Sequence, residues 1–127
     1  MEWSPKPSER RLSRRADIQL PLKIAGTGFR YTTDTKNISS SGLYCRLDRF
    51  IPLMTKLEVT MLVPVFIRNR KVEKEIICSA VVVRIEPEDE QPDGTVYYAG
   101  FFFTAIKDKD RKLIEQYVQQ SFSARNN

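Results

Sequence analysis

Histidine is absent from this chain. Its absence removes the commonest general base and the commonest transition-metal ligand together. Carboxylates and lysines remain, but the usual nucleophile and metal constellations cannot be assembled from them, so an enzyme is the least favoured class. Cysteine occurs only as Cys45 and Cys78, at a spacing that matches no zinc or redox motif. Each lies in an apolar stretch and reads as a small buried hydrophobe in a reducing compartment. No apolar run approaches the roughly 18 residues that cross a bilayer, and residues 1–7 lack the apolar core of a signal peptide. A cytoplasmic location without membrane insertion is therefore expected. There is no internal repeat and no low-complexity segment, so the 127 residues are expected to hold one domain.

The remaining composition is that of a globular chain able to bury its own core. Its formal charge of +5 points only weakly to an anionic partner, but the distribution of charge is more telling. Arg10, Arg11, Arg14 and Arg15 fall within six residues, and none of these cations is lysine. A guanidinium presents a planar fork of donors that suits phosphate or a guanine edge, and it stacks on aromatic bases.

Residues 1–8, with two prolines and polar side chains, read as a flexible arm. Residues 17–24 alternate apolar and polar without a break, the period of a strand with one face on a core. Pro21 stands at an outward position and cannot donate to a ladder, which places this strand at an edge there. After a Gly26-Thr27-Gly28 turn, strands are expected over residues 29–36, 43–47 and 57–63, the last ending at Pro64. Residues 76–85 are rich in Val and Ile and predict a central strand. An acidic loop over 86–94 lacks the regular ligand spacing of a calcium loop, so no metal is assigned. Residues 95–104 form a last strand, whose aromatics are read as core and outer-wall packing. From Asp108 the period changes: Leu113, Ile114, Tyr117 and Val118 make one apolar stripe on a helix of about three turns capped by Asp108. Six strands followed by one helix exclude a βαβ architecture and favour a mainly β fold, a small six-stranded antiparallel barrel with a C-terminal amphipathic α-helix.

Two short motifs stand out by their pairing. R-x-x-x-R, Arg11 and Arg15 with Arg10 just before, directly precedes the first strand. N-x-S-x-x-G, Asn37, Ser39 and Gly42, occupies the loop entering the third. In these motifs, their order and their separation the sequence resembles the PilZ domain family, and the L-P-L run, the Val-Val-Val-Arg strand, the A-G-F-x-F strand and the terminal helix fall where that family places them. The resemblance covers residues 9–122, leaving 1–8 as an arm and 123–127 as a tail.

The resemblance implies a receptor for cyclic-di-GMP that needs no cofactor and acts by changing its surface toward an unidentified effector protein. It implies that Arg11 and Arg15 clasp phosphate and the O6/N7 edge of guanine. Arg10 adds a third guanidinium, which favours a stacked pair of ligand molecules. Asn37, where many relatives carry Asp, would present donors and an acceptor to a guanine edge. Ser39 would donate to phosphate or turn the loop back on itself, and Gly42 would permit a positive φ or close approach of backbone to ligand. Arg14 and Arg84 are secondary candidates. Two other readings fit parts of the chain. One is a family member that has lost nucleotide binding and serves as a protein-interaction module. The other is an OB-like nucleic-acid-binding barrel, which leaves the loop motif unexplained and makes nucleic acid a disfavoured partner.

Overall fold

Alternating apolar residues bury one face of a strand, and a sheet of such strands escapes exposed edges only by closing on itself. The computed structural model, which describes residues 15–125, shows that closure. Its strands are β1 (Pro21–Gly26), β2 (Phe29–Ile38), β3 (Gly42–Leu47), β4 (Lys56–Ile67), β5 (Arg70–Glu86) and β6 (Tyr97–Ala105), followed by helix α1 (Asp108–Arg125). All neighbours run antiparallel in the closed order β1-β2-β3-β6-β5-β4.

The alternation read over residues 17–24 gives the right faces: Leu20, Leu22 and Ile24 are buried. The ladder itself starts only at Pro21. Upstream of it Ala16 makes an isolated bridge to Ile38, with Ala16 N donating to Ile38 O at 2.9 Å and Ile38 N to Ala16 O at 3.0 Å. The edge character of Pro21 is local, because it pairs with Asp34 of β2 while the β1–β4 ladder begins at Leu22–Met61.

Boundaries of β2, β3 and β6 differ from the expectation by one or two residues, and three others differ by more. β4 does not end at Pro64 but runs to Ile67, with Pro64 opposite Glu73. Among the described residues no strand flanks β4 on its other side beyond Met61, so the missing N–H of Pro64 leaves no ladder bond unmade there. β5 accordingly starts at Arg70 instead of Ile76. The helix has 18 residues, about two turns more than its first apolar stripe indicates, because Phe122 extends the stripe one turn past Val118 and packs on the core. Its first carbonyl acceptor is Lys107, which receives Asp110 N at 3.0 Å and Arg111 N at 2.9 Å. Asp108 is therefore the first helical residue, and with Asp110 it places negative charge at the positive end of the macrodipole.

Inside the barrel, Phe101, Leu22, Ile24, Met61, Ile76 and their neighbours form one core, which Ile114 and Val118 of α1 complete. Cys45 and Cys78 are free and buried within it. Burial pushes both thiols up to about 12, the charge of Asp110 adding to the effect at Cys78, so neither forms thiolate at neutral pH.

Candidate functional site

Thr35 of β2 fixes the segment that leads to the arginine motif. Its buried hydroxyl accepts from Leu20 N at 2.9 Å and donates to Ile18 O at 2.6 Å, while Thr35 N donates to Leu20 O at 3.0 Å. Thr35→Val keeps the shape and removes both side-chain bonds. It is expected to cost about 1–3 kcal/mol, since a buried donor and acceptor lose their partner. Hydrogen exchange checks this: the Leu20 amide should lose protection before the barrel strands do.

The chain thus held delivers Arg15 to β2, where its Nη1 donates to Asn37 Oδ1 at 3.0 Å. Partial desolvation lowers the pKa of this guanidinium from its ordinary value, and it stays charged at neutral pH. Arg10, Arg11 and Arg14 lie outside the described residues.

Asn37 reaches the outer wall because β2 is irregular. The register slips between Thr35 and Asn37, so Thr35 and Ile38 both point inward while Lys36 and Asn37 both stand outside. A matching slip on β5 between Val82 and Arg84 leaves Val82 and Ile85 inside and puts Val83 and Arg84 outside. Bulges of this kind re-aim side chains beside functional sites. Pairing then aligns Asn37, Tyr44, Gly100 and Arg84 in one row across β2, β3, β6 and β5.

The Arg84 guanidinium lies 5.8 Å from the Tyr44 ring centroid and forms an ion pair with Glu86. Tyr44 stacks on Tyr98 with centroids 6.0 Å apart and an interplanar angle of 11°, and Lys36 Nζ sits 5.1 Å from the Tyr98 centroid. Burial, and next the Glu86 carboxylate, push the Tyr44 phenol up, so it remains a neutral hydroxyl at neutral pH. At Gly100 the row has no side chain. A Cβ there would stand 3.4 Å from Arg84 Cβ and 4.0 Å from Tyr44 Cδ1, which is ordinary contact. The glycine leaves a low floor between two cations, an amide and a phenol.

The loop motif is held by its own hydrogen bonds. Ser39 is fully buried, with its N–H donating to Gly42 O at 2.9 Å and its hydroxyl 3.0 Å from Ser41 Oγ. Its hydroxyl also accepts from Ser41 N at 3.2 Å. Of the two roles foreseen for Ser39, the structure shows the hydroxyl turning the loop back on itself. Gly42 has no positive φ, and the backbone it approaches is not a ligand's: a Cβ would lie 2.1 Å from the Phe101 carbonyl oxygen. Both residues shape the wall from behind.

The structure thus brings Arg15, Asn37 and Arg84 to one face and sets Ser39 and Gly42 beneath it. Sequence reasoning missed Tyr44, Tyr98, Lys36 and Gly100 as neighbours of the site. Tyr44 was legible from parity, since Leu43, Cys45 and Leu47 on either side are buried. Among the described residues no group of three His, Cys, Asp or Glu side chains comes together to hold a metal.

The closed barrel thus carries cations, an amide and a phenol around a bare glycine floor on its outer wall. A family model described as PilZ domain matches residues 9–120, and the chain belongs to that family. PilZ domains are regulatory binding modules linked to the nucleotide messenger cyclic-di-GMP, not enzymes. Among solved structures the chain is similar to the Bacillus subtilis inhibitor of motility MotI/DgrA, with a TM-score of 0.75 and 19% identity over 97% of this chain. It spans 58% of that protein's length. It is also similar to the PilZ domain of CeSA from a cellulose-synthesizing bacterium, with a TM-score of 0.52 and 16% identity over 85% of this chain and 97% of that one. At such identities the likeness is one of fold. No curated protein matches the chain.

Proposed function

We propose that this chain is a cytoplasmic cyclic-di-GMP receptor, its module running over residues 9–122, that regulates a partner protein by changing its surface when ligand binds. The contact between Arg15 and Asn37 is the observation that carries this reading. It joins the two sequence motifs on one wall and spends only one of the five guanidinium N–H donors. The other donors, with Arg10 and Arg11 arriving from the same leader, are chemically suited to two phosphates and two guanine edges. Tyr44 supplies stacking surface on the near side of the Gly100 floor, and Arg84 a further cation on its far side. A ligand seated there orders the leader against the barrel, and that composite face is what a partner reads.

Calorimetric titration tests the reading. The intact chain is expected to bind cyclic-di-GMP saturably at micromolar or lower concentration. Arg15→Ala removes a charge-assisted contact of about 1.5–3 kcal/mol and is expected to weaken binding by about 10- to 100-fold. Arg15 is exposed, so unfolding should stay unchanged. Equal affinity of the two proteins would reject the assignment.

A further inference from the structure

The β4–β5 hairpin outruns the barrel. β1 leaves β4 after Met61 and β6 meets β5 only from Ser79, so among the described residues the segments 62–67 and 70–75 pair with each other alone. The connecting residues Arg68 and Asn69 have φ of 51° and 65°. Two positive values make the hairpin turn whose twist matches that of the flanking strands, so the ribbon projects without splaying.

The register decides what the tip presents. Val65, Ile67, Arg70 and Val72 continue the face that Met61 and Val63 turn to the core, while Phe66 and Lys71 share the opposite face. Phe66 is 67% exposed, Ile67 48% and Val72 37%, so apolar surface stands open on both sides. Between Phe66 and Lys71 there are three cations, Arg68, Arg70 and Lys71, and no acid. None of the three forms an ion pair among the described residues.

We propose that this tip docks the chain on the surface of an anionic membrane. A flat protein surface covers one side of a projecting ribbon and leaves the other wet. A nucleic-acid groove meets the arginines but gives Phe66 and Ile67 no apolar partner. The headgroup layer surrounds both faces at once, with lipid phosphates for the cations and the acyl boundary for the two large side chains. Docking of this kind lies on the bilayer and spans nothing, in keeping with the lack of any helix long and apolar enough to cross among the described residues. The proposal uses no residue of the nucleotide site.

Co-sedimentation of the full chain with phosphatidylcholine vesicles, with and without phosphatidylserine, tests it. Binding is expected only with the anionic lipid and should fall as salt is raised. Phe66→Ser/Ile67→Ser and Arg68→Glu/Lys71→Glu should each lower partitioning by about tenfold or more. Ile77→Ser, an exposed apolar residue on the barrel wall, should leave it unchanged. Circular dichroism and cyclic-di-GMP titration of the variants show that the fold and the other site are intact. Failure of the native chain to sediment with anionic vesicles, equal sedimentation of the tip variants, or tip-dependent binding of duplex DNA in place of vesicles would each overturn the proposal while leaving the nucleotide reading standing.

Discussion

Gly42→Ala is expected to destabilise the chain by about 3 kcal/mol or more, the upper range for overpacking. The added methyl would meet the Phe101 carbonyl oxygen at 2.1 Å and the Phe101 carbonyl carbon at 3.2 Å. These are backbone atoms inside a ladder, so no rotamer change relieves the contact. The Gly42–Phe102 pairing must open instead, together with the neighbouring bond from Phe103 N to Ser41 O at 2.9 Å. Gly100→Ala on the same strand pair is the control. Its methyl would find only ordinary contacts at 3.4 Å and 4.0 Å, and stability should change by less than about 1 kcal/mol. Thermal unfolding of the two variants separates a glycine required by the fold from one that has room for a side chain. Equal melting temperatures would refute the distinction.

The second large effect is expected on the other side of the same seam. Phe101 is the largest fully buried side chain, 1% exposed, and its backbone is the one Gly42 packs against. Phe101→Ala removes the whole phenyl ring from the barrel centre, where Leu22, Ile24 and Met61 come from strands held by hydrogen bonds and cannot all collapse inward. Truncations of this kind cost about 3–5 kcal/mol, against a total of about 5–15 kcal/mol for an ordinary domain. Denaturant titration should show a large fall in midpoint. Phe102→Ala should show little, because that neighbouring side chain is half exposed on the outer wall. Reversal of that order would mean that the inward and outward faces of β6 are wrongly assigned.

The sequence disclosed what depends on local periodicity. Leu20, Leu22 and Ile24 declare their buried face by alternation, and the apolar stripe of Leu113, Ile114, Tyr117 and Val118 announces a helix. It did not disclose what depends on which strand lies alongside. Pro64 looks like a terminator because a ladder donor is missing, yet among the described residues no strand pairs with that flank beyond Met61. Likewise Asn37 reads as part of a loop after a strand that ends at residue 36, whereas pairing with β3 extends β2 to Ile38 through a bulge, and the bulge sets Asn37 beside Arg15 on the outer wall. The motif residues themselves were visible. What stayed hidden was their division of labour, with Asn37 facing outward while Ser39 and Gly42 fold the loop and admit the close approach of β6.

That division yields a map. Titration of the isotope-labelled full chain with cyclic-di-GMP, followed by amide chemical shifts, tests most directly whether the outer wall is the nucleotide site. The largest perturbations should fall on Arg15, Asn37, Tyr44, Gly100 and Arg84, with little change at Ala25 and Ser79 on another part of the barrel. A folded chain whose spectrum ignores the ligand, or responds around Ala25 and Ser79 instead, would contradict the assignment.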